Sequence, residues 1–191
     1  MRKILIYGNP FLKQKSAPLD TTTSQLQGFI NEMAQILYHS NEGVGLAAPQ
    51  VGELIRALVV DVDHIATEKN PNPRRHLQVF LNPEIVSESE EDSVYTEGCL
   101  SIHGVEGKIY RPALVVVRYR DLDFKEHEIQ ADGFLARVLQ HEIDHLNGTL
   151  FVDRLSFTQR ALIAGKLHKL RRNTAHNITP EASKKHKAPL I

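Results

Sequence analysis

Apolar residues first recur at helical spacing between Ser24 and His39, where Leu26, Phe29, Ile30, Met33, Ile36 and Leu37 share one face. Thr22 or Thr23 is placed to cap the start of that helix. Asn41 to Gly52 breaks the pattern and reads as a glycine-containing loop. Ala57 to Asp61 is a short apolar run of the buried-strand type. His64 to His76 is polar and holds Pro71 and Pro73, so an exposed loop is expected. Gln78 to Val86 reads as extended with a break at Asn82-Pro83, Glu88 to Asp92 as an acidic turn, and Val94 to Ile102 as extended around Gly98. Leu114 to Tyr119 is a β-branched strand, with Glu126 to Ala131 as a returning partner. Asp132-Gly133 opens a second helix, Phe134 to Leu146, which Asn147-Gly148 stops. Ser156 caps a last helix, Phe157 to Arg172, with Leu162, Ile163, Leu167 and Leu170 on its packed side. The strands precede the second helix instead of alternating with helices. This predicts an α+β fold, mostly antiparallel strands around a central helix, with a C-terminal helix.

The 191 residues are 41% hydrophobic and 24% charged, an ordinary soluble composition with enough apolar material for a core. No apolar run approaches the roughly 18 residues of a membrane span. The apolar start is too short for a secretion signal and ends at Asn9-Pro10, which points to the cytosol. The one cysteine, Cys99, excludes an internal disulfide and fits a reducing compartment. Net charge is zero but uneven. From Arg160 to Ile191 eight basic residues face one acid, Glu181, so that segment carries +7 and the rest −7. The expected organisation is one catalytic domain over 1–172 and a flexible basic tail over 173–191. The basic end is either a solvated extension or a contact for a polyanion, with RNA favoured.

The densest chemistry lies in His141-Glu142-Ile143-Asp144-His145. On a helix, residues four apart lie on one face a turn apart, so both imidazoles reach one metal ion. Glu142, beside the first of them, is placed as a general base. Apolar neighbours Phe134, Val138, Leu139, Ile143 and Leu146 make this helix largely buried, and buried histidines need partners. A catalytic site needs a third protein ligand. Position 151 is Phe, which excludes the pattern with a third histidine six residues after the second, and the one later glutamate, Glu181, lies in the tail. Asp153 and Cys99 remain as third ligand; the lack of another good donor favours the soft thiolate of Cys99, in Glu97-Gly98-Cys99-Leu100-Ser101. A third element, Gly43-Val44-Gly45-Leu46-Ala47-Ala48-Pro49-Gln50-Val51-Gly52, lacks phosphate-loop spacing. Its small residues let a ligand approach the backbone, and Gln50 offers an amide donor for an oxyanion.

Together the three motifs resemble the peptide deformylase family, and the resemblance runs from about Ile4 to Leu170. Gly148-Thr149-Leu150-Phe151-Val152-Asp153-Arg154-Leu155 looks like the family's continuation. The resemblance implies hydrolysis of the N-formyl group from the formyl-methionine of newly made proteins. It implies Cys99, His141 and His145 as ligands of one divalent metal, Fe2+ in the cell, with Zn2+, Ni2+ or Co2+ also suited. It implies that the metal would activate a water for attack on the formyl carbon, with Glu142 taking its proton and delivering one to the leaving amine. It also implies that the Gln50 side chain and the Leu100 backbone N–H would stabilise the oxyanion, and that Gly45 would align the substrate backbone. Val44, Phe134 and Val138 are the candidate walls of the methionine pocket. The C-terminal helix is a candidate ribosome contact; no membrane or DNA partner is expected. His103 stands where the family usually has proline, and the His64 to His76 loop is longer than the fold needs. Glu97 and Arg111 are placed to form an ion pair near the metal.

Three other classes remain as readings of the residues: a metalloprotease with Asp153 as third ligand, a cysteine hydrolase with Cys99 as nucleophile, and a non-enzymatic ribosome- or RNA-binding module driven by the basic C-terminus.

Overall fold

A computed structural model describes residues 2–40, 43–66 and 70–177. Helix α1 spans Ser24–His39, and the Thr23 side chain accepts the Leu26 N–H at 3.1 Å. A five-stranded antiparallel sheet has the order β1 (Gly45–Ala47), β2 (Ala57–Val60), β3 (Gln78–Glu88), β6 (Leu114–Arg120), β7 (Glu126–Asp132). Strands β4 (Asp92–Cys99) and β5 (Ile102–Pro112) form a separate hairpin. Helix α2 is Gly133–Leu146 and α3 is Phe157–Asn177.

The period-two alternation of a strand divides the core. On β2, Ala57 and Val59 pack in the cluster that includes α1, while Leu58 and Val60 pack with Val138, Leu139 and Leu146 of α2. The two helices therefore cover opposite faces of the sheet. A third cluster joins the β4–β5 hairpin to Phe151, Val152, Leu155 and Leu167. This arrangement buries α2 between the large sheet and the hairpin.

Several expectations need correction. The 41–52 segment is not only loop: β1 pairs antiparallel with β2, Gly45 opposite Val60, and Ala48–Val51 forms a short 3-10 helix. Residues 41–42 and 67–69 of the two expected loops lie outside the described residues. The expected break at Asn82-Pro83 is present, as an irregularity within a continuous strand. Asn82 adopts φ 50° and the pairing with β6 shifts there, a bulge after which β3 continues. Strand β5 was not anticipated at all. The last helix does not stop at Arg172 but runs to Asn177, because no breaker precedes Pro180 and the Thr174 hydroxyl donates to the Tyr7 carbonyl at 2.9 Å. The remainder of the expected tail, 178–191, lies outside the described residues. Leu162 is not on the packed side. It is 82% exposed, whereas Ile163, Leu167 and Leu170 pack inward on a stripe about one residue around the helix from it.

Candidate active site

Helix α2 ends at Leu146 with Asn147 as its C-cap, and Gly148 follows at φ 72°, where a Cβ would lie 2.6 Å from the Lys13 carbonyl oxygen. Only glycine fits both demands. Within the helix, His141 and His145 lie one turn apart with ring centroids 5.1 Å from each other. The hairpin brings Cys99, at the end of β4, to the same point: its Sγ is 3.3 Å from His145 Nε2. The three ligating atoms all lie within 4.8 Å of one another, and among the described residues this is the one cluster of three or more metal-ligating side chains.

The donor set fits a metal. Tetrahedral bonds of about 2.0–2.3 Å place neighbouring ligand atoms about 3.3–3.8 Å apart. One thiolate and two imidazoles suit a borderline divalent cation, and three protein ligands leave a coordination position open. Asp153 is elsewhere. It pairs with Lys13, accepts the Leu150 N–H at 2.8 Å and faces Arg160 at 3.6 Å.

A charged frame orients the histidine pair. Glu97, two residues before Cys99, accepts from His141 Nδ1 at 2.9 Å, which fixes the tautomer that turns Nε2 toward the cluster. The same carboxylate takes two bonds from Arg111, at 2.7 and 3.0 Å, and one from Arg137 at 2.9 Å. Arg111 continues to Asp144 at 2.7 Å, and Arg154 holds both oxygens of Asp144 at 2.6 Å. Burial works against the Glu97 charge, but the hydrogen bonds from His141 and Arg111 outweigh it and hold this carboxyl well below the usual range. Burial drives His145 well below the ordinary imidazole value, helped by the neighbouring His141. Burial also raises Glu142, to about 7. Its carboxylate lies against Gly45, where a Cβ would sit 2.6 Å from Oε1, and Oε2 is buried without a hydrogen-bond partner.

Gln50 is oriented by the backbone. Its Oε1 accepts the Ala47 N–H at 2.8 Å, so the amide Nε2 faces the cluster, 3.7 Å from Cys99 Sγ and 3.3 Å from Ser101 Oγ. A cavity of about 410 Å³ opens over these groups. Val44, Gly45, Gln50, Leu100, Phe134 and Val138 all line it, as do Cys99, His141 and Glu142. His145 is the one expected site residue that does not, being 1% exposed. Phe134 is 47% exposed, at the rim rather than the floor. The anticipated Glu97–Arg111 pair forms, at 2.7 Å. Sequence reasoning missed Arg137, Asp144, Arg154 and Ser101. The available signal for Arg137 was its place four residues before His141, on the same face of the helix.

The fold and site define a class: a hydrolase of the His-Glu-x-x-His type in which a cysteine from a neighbouring hairpin is the third candidate metal ligand. The model of the family described as polypeptide deformylase matches residues 1–161, and the chain belongs to that family. Among its relatives, the peptide deformylase of Salinibacter ruber is 44% identical over 171 residues, 87% of each chain. That of Novosphingobium aromaticivorans is 40% identical over 185 residues, 90% of this chain and 98% of the other. A solved peptide deformylase from Plasmodium falciparum superposes with TM-score 0.83 at 34% identity, covering 93% of this chain and 99% of that one. One from Legionella pneumophila gives 0.78 at 39% identity, covering 92% and 98%.

Proposed function

We propose that this enzyme removes the formyl group from the N-terminal formyl-methionine of newly made polypeptides, with Cys99, His141 and His145 holding one divalent metal ion. The observation that carries the assignment is the convergence of those three donors beside a buried glutamate that has a free oxygen. When bound, the ion acts as a Lewis acid that makes water nucleophilic near neutral pH. Glu142 takes a proton from the water that attacks the formyl carbon and returns it to the leaving amine. Burial, which raises its pKa to about 7, suits it to both transfers near neutral pH. Gln50 Nε2 and the Leu100 backbone N–H meet the formyl oxygen as charge develops there, and the fixed orientation of the amide means that little reorganisation is needed. Strand β1 is the edge of its sheet, so the substrate backbone adds alongside Gly45 as a further strand. Val44, Phe134 and Val138 enclose the methionine side chain.

Fe2+ is the proposed metal in the cell, and the soft thiolate in the donor set supports it over a hard cation. The proposed location is the cytoplasm, where nascent chains are made; no helix among the described residues is long and apolar enough to cross a membrane. The basic α3 is proposed to meet rRNA phosphates through Lys166, Lys169, Arg171 and Arg172, bringing the enzyme to its substrate. The test of the site is Cys99→Ser, purified anaerobically, with bound metal and turnover of a formyl-Met peptide measured on one sample. Loss of both is expected. Full occupancy and rate would overturn the ligand assignment, and cleavage of unformylated peptides would favour a protease.

A further inference from the structure

The acidic groups lining the cavity differ in how free they are. Glu97 is 5% exposed and committed to two arginines and His141. Glu142 is 4% exposed and engaged in the chemistry. Glu106, on β5, is exposed, lines the same cavity, and makes no ion pair among the described residues. Its stem crosses the hairpin: Glu106 Cγ lies 3.7 Å from where a Cβ on Gly98 would sit, and Gly98 directly precedes Cys99. That distance is ordinary van der Waals contact, so the Glu106 stem packs beside residue 98 at the mouth.

The cations nearby are differently disposed. Arg137 is 3% exposed and spent on Glu97 and Ser93. Lys166 donates to the Gly104 carbonyl at 3.2 Å, and His103 is exposed on the rim. A formylated N-terminus has no α-ammonium charge, so any charge it brings comes from side chains after the methionine. With the formyl carbon beside Cys99, two residues of extended chain span about 7 Å, and Glu106 lines the cavity into which they extend.

We infer that Glu106 is a specificity-determining residue that favours substrates with a basic side chain in the two positions after the formyl-methionine and disfavours acidic ones there. This rests on the deformylase reading of the site. An exposed ion pair is modest, so attraction to lysine is expected to be worth about two- to fivefold in kcat/KM, and to weaken as salt rises. Because glutamate is repelled as well, the lysine-to-glutamate ratio spans more than attraction alone.

The test uses the metal-loaded full chain and C-terminally amidated peptides: formyl-Met-Ala-Ser, then the same peptide with Lys or Glu at position two or three. In the wild type the lysine peptides are expected to exceed the glutamate peptides in kcat/KM at one or both positions. In Glu106→Gln that ratio collapses toward one, in Glu106→Lys it inverts, and 0.5 M NaCl compresses it in the wild type. An identical ratio in the wild type and both variants, with formyl-Met-Ala-Ser hydrolysed normally by the wild type, overturns the role of Glu106 and leaves the deformylase reading standing. Failure of the wild type to hydrolyse formyl-Met-Ala-Ser overturns the deformylase reading itself.

Discussion

Gly45→Ala displaces Glu142 without changing its chemical identity. A Cβ at residue 45 would lie 2.6 Å from Glu142 Oε1, 2.8 Å from Cγ and 2.9 Å from Cδ. Ordinary contact begins at 3.4 Å, so the shortfall is 3.4 less 2.9 to 3.4 less 2.6, about 0.5–0.8 Å. Three consecutive atoms are involved, and turning the carboxylate alone does not relieve the overlap. The whole side chain must swing from its place on a buried helix, where Glu142 is 4% exposed. Overpacking of this kind destabilises by about 1–3 kcal/mol. The stiffer unfolded chain returns about 0.4–1 kcal/mol, so the variant stays folded at 25 °C. Chemistry is affected more than stability, because a 1 Å misplacement of a reacting group costs about 10²-fold. The expected outcome is a 10- to 10²-fold loss in kcat/KM on a formyl-Met peptide, with metal content unchanged and only a small fall in thermal midpoint. A rate within threefold of wild type at full metal occupancy would refute the idea that Glu142 works from the position it holds against Gly45.

The remaining predictions address the other groups. Glu142→Gln keeps fold and metal but loses about 10²–10⁴ in turnover, since an amide cannot carry the proton; a fall below tenfold contradicts the role. Gln50→Ala lowers kcat by about 10²–10³ with a smaller change in KM, because its amide meets a charge that develops only during attack; a rise in KM at constant kcat contradicts it. Neutralising Lys166, Lys169, Arg171 and Arg172 to glutamine weakens co-sedimentation with ribosomes and flattens its salt dependence, and absence of binding by the intact protein at low salt refutes that contact.

The parts of this fold that the sequence discloses are those whose signal is local. Helix α1 carries six apolar residues on one face and its own cap, and its limits follow directly from them. Strand β1 is three residues long, and what makes it a strand is Leu58 to Val60 alongside it, which no local pattern reveals. Strand β5 is obscured because one of its inward positions is Arg111, 2% exposed, and because Gly104 and Gly107 interrupt the alternation. The same residue explains what was missed at the site. The histidine pair, the adjacent glutamate and the lone cysteine are readable as types at spacings. The frame of Arg111, Arg137, Asp144 and Arg154 is not, since charged residues in sequence default to the surface and only the tertiary structure pairs them inside.

Helix α2 buries Arg137, Gln140, His141, Glu142, Asp144 and His145, a set that would be strongly destabilising unpaired. Most are answered from the hairpin: Glu97 and Ser93 for Arg137, the Pro112 carbonyl for Gln140, Glu97 for His141, and Arg111 for Asp144. The resulting chain, from Arg154 through Asp144, Arg111 and Glu97 to His141, crosses from the surface to the candidate metal cluster. Apolar packing alone is non-directional and tolerates small slides between layers. Bidentate arginine–carboxylate pairs do not, because both partners are planar and two bonds set their angle. Glu97 is two residues before Cys99, so fixing Glu97 on His141 also fixes the thiol relative to the helix. The ionic chain therefore sets the geometry of a cluster drawn from two separate layers. Glu142 stands apart from it, with Oε2 left unpaired. A partner there would hold the carboxylate ionised and idle, whereas burial without one leaves it poised to exchange a proton near neutral pH.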